Sequence, residues 1–126
     1  MRIGELADRA QVSQKALRYY ESLGLLTSAR LSNGYRDYDE EDVRVVEEIR
    51  QLSRLGIRVE DTRPFVECLT AGHQQGDDCA TSVDAYREAI AELDARAEEL
   101  RRRREELAAL LDRAEARAAC GCEVGA

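Results

Sequence analysis

No apolar run in this sequence approaches the roughly 20 residues that span a bilayer, and nothing resembles a signal peptide. The expected address is therefore the cytoplasm, with no membrane partner. Enzyme machinery is missing too. There is one histidine, no phosphate-cradling glycine loop and no nucleophile placed beside a base, so the chain is expected not to be an enzyme. Cysteine is absent from the first half. In a chain expected in the cytosol the four present, Cys68, Cys79, Cys120 and Cys122, read as free, metal-bound or redox-active rather than as a structural disulfide framework. Finally, neither glycine nor proline occurs in the 38 residues from Thr81 to Ala118. That gap predicts one unbroken helix about 57 Å long.

What is present divides into two electrical halves. The 126 residues are 36% charged and 44% hydrophobic, with a net charge of −7, enough for one ordinary domain or a small domain with an appendage. Residues 1–36 hold six basic side chains against three acids, a net +3, which leaves −10 on the remaining 90 residues. A basic head on an acidic body is the asymmetry expected when one end meets phosphates.

The head reads as short elements. RIGELADRA places Ile3, Leu6, Ala7 and Ala10 at helical spacing. After a bend at Gln11–Val12, Ser13 is a suitable N-cap for a second helix running to about Leu23, with Gly24 as its left-handed stop. Two helices joined so tightly make a helix-turn-helix. Asn33-Gly34 predicts a type I′ turn between short strands at about 29–32 and 35–37. Asp39 should cap a third helix over 40–55, with Val43, Val46, Ile49, Leu52 and Leu55 on one face, and Pro64 should delay or kink a fourth near 60–70. The final helix repeats in sevens. Val83, Ile90, Ala97, Arg104 and Leu111 form one row, and Tyr86, Leu93, Leu100, Leu107 and Ala114 the other, the pattern of a coiled coil whose simplest partner is a second copy. The dimerisation residues expected are thus Val83, Tyr86, Ile90, Leu93, Ala97, Leu100, Leu107 and Leu111.

In their order, RIGELA, KALRYYESLGLL, NGYRDY, a two-helix connector and a long terminal helix resemble the MerR family of transcription regulators over residues 1–118. The resemblance implies a mainly α fold: a winged helix-turn-helix head with a β-hairpin wing (1–38), a two-helix connector (39–71), a loop (72–80), an antiparallel coiled-coil dimerisation helix (81–118) and a cysteine-containing tail (119–126). It implies a homodimer on a palindromic operator in double-stranded DNA, which bends and untwists a promoter for RNA polymerase when an effector binds. Ser13, Gln14, Lys15 and Arg18 match the family's groove-facing positions. Tyr19 and Tyr20 match aromatic DNA contacts, one of which can instead be core, and Tyr35 and Arg36 match wing contacts. Arg54 and Arg58 are candidate phosphate contacts.

Cys79, at the entrance of the long helix, matches a position where thiophilic-metal sensors of the family carry cysteine. In an antiparallel pair, Cys79 of one subunit can approach Cys120 and Cys122 of its partner, a set suited to zinc, copper(I), mercury(II), cadmium or lead. The one-residue spacing in CGC and the four residues after Cys122 depart from the family's longer binding loop. The alternatives are thiol redox or electrophile sensing, or cysteines without function. Cys68 is either a resolving partner or buried filler, and His73, with Asp77 and Asp78, can join a metal site or simply face solvent. From another class, a coiled-coil adaptor without DNA binding remains open, although it has no need of Arg18 beside NGYR.

Overall fold

The structure, a computed structural model, describes residues 1–27, 29–30 and 36–121. The elements run α1 (Ile3–Ala10), α2 (Gln14–Ser22), β1 (Ala29–Arg30), β2 (Arg36–Asp37), α3 (Glu40–Arg54), a 3₁₀ turn (Val59–Thr62), α4 (Arg63–Thr70) and α5 (Ala80–Ala119). The chain divides into two compact units, Met1–Ala89 and Ile90–Ala126. Among the described residues no helix is long and apolar enough to cross a membrane.

Helices of eight and nine residues are marginal in water, so α1 and α2 persist only through tertiary packing and their caps. Leu6, Leu17, Val46 and Ile49 are wholly buried in one core with Ala7, Ala10, Tyr20, Leu25, Leu26, Tyr38 and Val43. The bend between α1 and α2 turns on Gln11, whose backbone is left-handed at φ 57°, ψ 45°. Ser13 then caps α2, its hydroxyl accepting from the Ala16 amide at 3.0 Å. Gly24 at φ 76° ends that helix as expected. The Tyr38 amide donates to the Met1 carbonyl at 2.8 Å and ties the end of β2 to the start of α1.

The two strands pair antiparallel, Ala29 with Asp37 and Arg30 with Arg36. The expected Asn33-Gly34 turn lies outside the described residues. A second apolar cluster joins Leu52, Ile57 and Phe65 to Ala85, Tyr86 and Ala89 on the first turns of α5. The Pro64 reading is met by a 3₁₀ turn that leads into α4 with proline in its first turn, where a missing amide costs nothing. One expectation on α3 fails. Leu55 is 72% exposed, whereas Val45 is buried. The helix ends at Arg54, so Leu55 no longer follows the helical stripe.

Asp39 and Asp42 close α3 with a capping box, Asp39 accepting from the Asp42 amide at 3.1 Å and Asp42 from the Asp39 amide at 2.9 Å. Burial pushes the Asp42 carboxyl up from 3.8 to about 6, with the neighbouring Asp39 carboxylate adding to the rise. The folded chain therefore holds this proton to higher pH than the unfolded chain. Stability falls as pH rises from about 4 through 6, and the full penalty stands above that window. Asp42→Asn keeps an acceptor for the Asp39 amide and removes the charge. It should gain about 1 kcal/mol at pH 7.5, discounted for partial solvation, and nothing at pH 3.5, measured as the variant-minus-wild-type difference in urea unfolding. Asp39→Ala should instead cost about 1 kcal/mol at neutral pH in the same titration.

Candidate functional site

Helix α2 has two faces with different fates. Leu17 and Tyr20 point into the core, while Ser13, Gln14, Lys15, Arg18 and Tyr19 are exposed. The outward set recurs at i, i+1 and i+4 from Gln14, so these side chains share the opening turns of the helix. Tyr20, one of the two candidate aromatic contacts, is 6% exposed, and burial raises its phenol pKa. Its role in this fold is packing. Tyr19 is 44% exposed, but its hydroxyl donates to Glu60 of the 3₁₀ turn, a bond that raises the phenol pKa. Glu60 was not foreseen. It lies 41 residues away in sequence, and no local pattern signals the pairing.

The cations of this unit separate by whether they already have partners. Arg9 forms a two-pronged pair with Glu40, at 2.5 and 2.6 Å, which joins α1 to α3 and holds the Glu40 carboxyl below its ordinary value. Arg44 donates to the Gln74 carbonyl at 2.6 Å, and Arg63 donates to the Leu23 carbonyl at the end of α2. Arg58, a candidate phosphate contact, pairs with Asp61 at 3.1 Å. Among the described residues, Lys15, Arg18, Arg54 and the half-buried Arg50 have no such partner. An exposed cation without a carboxylate is free to neutralise a phosphate or read a base edge. Arg36 lies in β2, next to the expected wing turn, and Tyr35 lies outside the described residues.

The cysteines assemble differently from the partner-shared set. Cys68 lies on the buried face of α4 with Phe65 and Leu69. Cys79 occupies the position before α5, its carbonyl accepting from the Ser82 and Val83 amides at 3.1 and 3.3 Å. The two sulfurs are joined in a disulfide, with their Cα atoms 6.0 Å apart, inside the range a bridge requires. His73 is exposed above them. One nitrogen of its ring and the two sulfurs all lie within 4.8 Å of one another. Cys120 is free and exposed, and Cys122 lies outside the described residues.

The loop between Cys68 and Cys79 is built to bring them together. The His73 amide donates back to the Cys68 carbonyl at 3.3 Å. Gln75 and Asp78 close a turn in both directions, and the buried Ser82 hydroxyl donates to the Gly76 carbonyl at 2.5 Å. Gly76 lies close against Glu48 and the Phe65 backbone. A Cβ there would stand 2.7 Å from a Glu48 carboxylate oxygen and 3.2 Å from the Phe65 carbonyl oxygen. Spacing in the sequence raised Cys68 and His73 only as options. The usable signal was that Phe65, Cys68 and Leu69 fall at i, i+3 and i+4, which turns Cys68 inward toward a returning loop.

On α5, Tyr86 departs from the expected seam. Its ring packs on Phe65 at a centroid distance of 4.9 Å, its hydroxyl donates to Asp77 at 3.0 Å, and burial pushes its pKa up to about 12. These contacts lie within its own protomer. Beyond it, Ile90, Leu93, Leu100, Leu107 and Leu111 are each between 48% and 67% exposed, and Ser82 is the one buried residue of α5.

The family pattern described as MerR HTH family regulatory protein matches residues 1–67. The chain is similar to the HTH-type transcriptional regulator HmrR of Rhizobium leguminosarum bv. viciae, 35% identical over 101 residues, spanning 79% of this chain and 75% of HmrR. It is also similar to the HTH-type transcriptional regulator CueR of Escherichia coli O6:H1, 32% identical over 114 residues, spanning 87% and 80%. Among solved structures, the transcription regulator PbrR691 from Ralstonia metallidurans CH34 in complex with lead(II) superposes with a TM-score of 0.73 at 28% identity, over 89% of this chain and 85% of that one. These relatives are regulators rather than enzymes. A family match over more than half the sequence, carried by a capped helix-turn-helix, places this chain in the MerR family of transcription regulators.

Proposed function

We propose that the chain binds double-stranded promoter DNA as a homodimer and distorts it in response to a thiophilic metal ion. The observation that carries the first half is the outward face of α2, where Lys15 and Arg18 stand exposed and unpaired beside Ser13 and Gln14. The opening turns of such a helix enter the major groove, and the arginine fork can bond two base acceptors at once. Tyr19 joins this set if its hydroxyl leaves Glu60, and the paired strands with Tyr35 and Arg36 serve as the wing against the backbone. Tyr20 is left out because its ring is committed to the core.

The dimer follows from α5. A helix whose large apolar residues are mostly half or more exposed is stabilised by a partner that covers them, and Val83, Ile90, Leu93, Ala97, Leu100, Leu107 and Leu111 form that seam in an antiparallel pair. Two heads so spaced would meet the two halves of a palindromic operator, and effector-driven bending would realign promoter elements for RNA polymerase. The ion reading is supported by PbrR691, whose structure contains lead(II), and by the gathering of Cys68, His73 and Cys79 at the entrance of α5. In the partner-shared form, Cys79 acts with Cys120 and Cys122 of the partner subunit. A second reading, sensing by thiol oxidation, is favoured by the bond between Cys68 and Cys79.

Arg18→Ala should weaken operator binding about 10- to 100-fold in fluorescence anisotropy, with unchanged circular dichroism, and should narrow the gap between operator and scrambled duplex. Equal wild-type affinity for both duplexes at fixed salt would overturn the DNA-reading assignment and favour a coiled-coil adaptor. Leu100→Glu should shift the protein from dimer to monomer at micromolar concentration in analytical ultracentrifugation, because it places a charge in the seam.

A further inference from the structure

We propose that Cys68, His73 and Cys79 of a single protomer form a thiophilic-ion site that opens when the Cys68–Cys79 disulfide is reduced. The inference deepens the ion-responsive reading above, since it names the donors, but it needs neither Cys120 nor Cys122.

The donor set carries it. Two thiolates and an imidazole suit a soft or borderline ion such as zinc(II), cadmium(II) or copper(I), and carboxylate-preferring ions such as magnesium are disfavoured. The three donor atoms already lie within 4.8 Å of one another, which asks for little movement of the backbone. They come from three different pieces of structure: the buried face of α4, the loop, and the residue before α5. Burial grades across them, with Cys68 buried, Cys79 half-buried and His73 exposed. An ion could therefore enter from the His73 side, with water completing its coordination.

The loop is shaped around this corner rather than around the solvent. Gly76 passes close to the Phe65 carbonyl, the Ser82 hydroxyl holds the Gly76 carbonyl, and the His73 amide is tied back to the Cys68 carbonyl. Cys68 Sγ also lies 3.4 Å from the Gln75 carbonyl oxygen, a contact that a reduced thiol can convert into a hydrogen bond. Cys79 stands at the amide-rich start of α5, where the helix dipole favours the thiolate that an ion requires.

Opening the site has a defined chemistry. A dithiol reductant attacks the Cys68–Cys79 bond, and two exchanges release both cysteine thiols while the reductant leaves as its own disulfide. Two protons then depart as the thiolates take the ion. Oxidation and ion binding are thus mutually exclusive states of one sulfur pair. Either state fastens α4 to the start of α5, but only the reduced one recruits His73.

The test uses the full chain, reduced with a phosphine under anaerobic conditions, and zinc(II) as the probe. Native mass spectrometry should show one zinc per chain, with the loss of two protons, and competition with a chromophoric chelator should give its affinity. His73→Ala and Cys68→Ser, each made in a Cys120→Ser/Cys122→Ser double-variant background, should weaken zinc binding at least 10-fold relative to that background. His73 is exposed, so its variant separates ligand loss from any misfolding of the Cys68 variant, which circular dichroism would report. Diamide treatment of the tail double variant, which keeps only Cys68 and Cys79, should lower its mass by two hydrogens per chain and abolish zinc uptake. Absence of zinc binding by the reduced wild type would overturn the site. Loss of zinc in the reduced tail double variant itself would also overturn it, in favour of the partner-shared set. None of these readings involves DNA, so failure here is distinct from failure of the operator-binding measurement.

Discussion

The burial of Leu17 and Tyr20 in a core shared with residues of α1 and α3 is the constraint on which the rest depends. A nine-residue helix gains too few internal hydrogen bonds to stand alone in water. Once its inner side chains are locked into a core with Leu6, Val46 and Ile49, its rotation about its own axis is no longer free. Lys15 and Arg18 are then outward because Leu17 and Tyr20 are inward. The capping serine and the left-handed bend at Gln11 set where the helix begins, which fixes the residues that occupy its leading turn.

The same economy governs the charges around that helix. Arg9, Arg44, Arg58 and Arg63 are each engaged by a carboxylate or a carbonyl that joins elements of the first unit or closes a local turn. Once those cations are satisfied, Lys15 and Arg18 remain as an unpaired positive pair on α2 of an acidic chain, among the described residues. The net charge of −7 therefore says little about phosphate binding, and the identity of the unpartnered side chains says more.

At the other end of the first unit, α4 and the opening turns of α5 are held by two different chemistries. Phe65 and Tyr86 contribute an aromatic contact, and Cys68 and Cys79 contribute a bond that depends on redox state. Tyr86 fits the heptad row by position, yet its ring and hydroxyl are used inside the protomer.

The helices, their caps and their stops were legible in the sequence because each rests on local chemistry. Ser13 and Asp39 accept amides three residues on, Gly24 tolerates a positive φ, and Pro64 is admitted only near a helix start. The outward face of α2 was legible too, since helical periodicity separates Leu17 from Lys15 and Arg18. The Asn33-Gly34 turn, Tyr35 and Cys122 fall outside the described residues. What tertiary structure decided were the pairings across long stretches of chain: Tyr19 with Glu60, Arg9 with Glu40, Tyr86 with Phe65, and Cys68 with Cys79 under His73. No periodicity encodes such contacts. They depend on the angles at which separate helices pack, and those angles are set by the shape of a buried core rather than by any one segment that contributes to it.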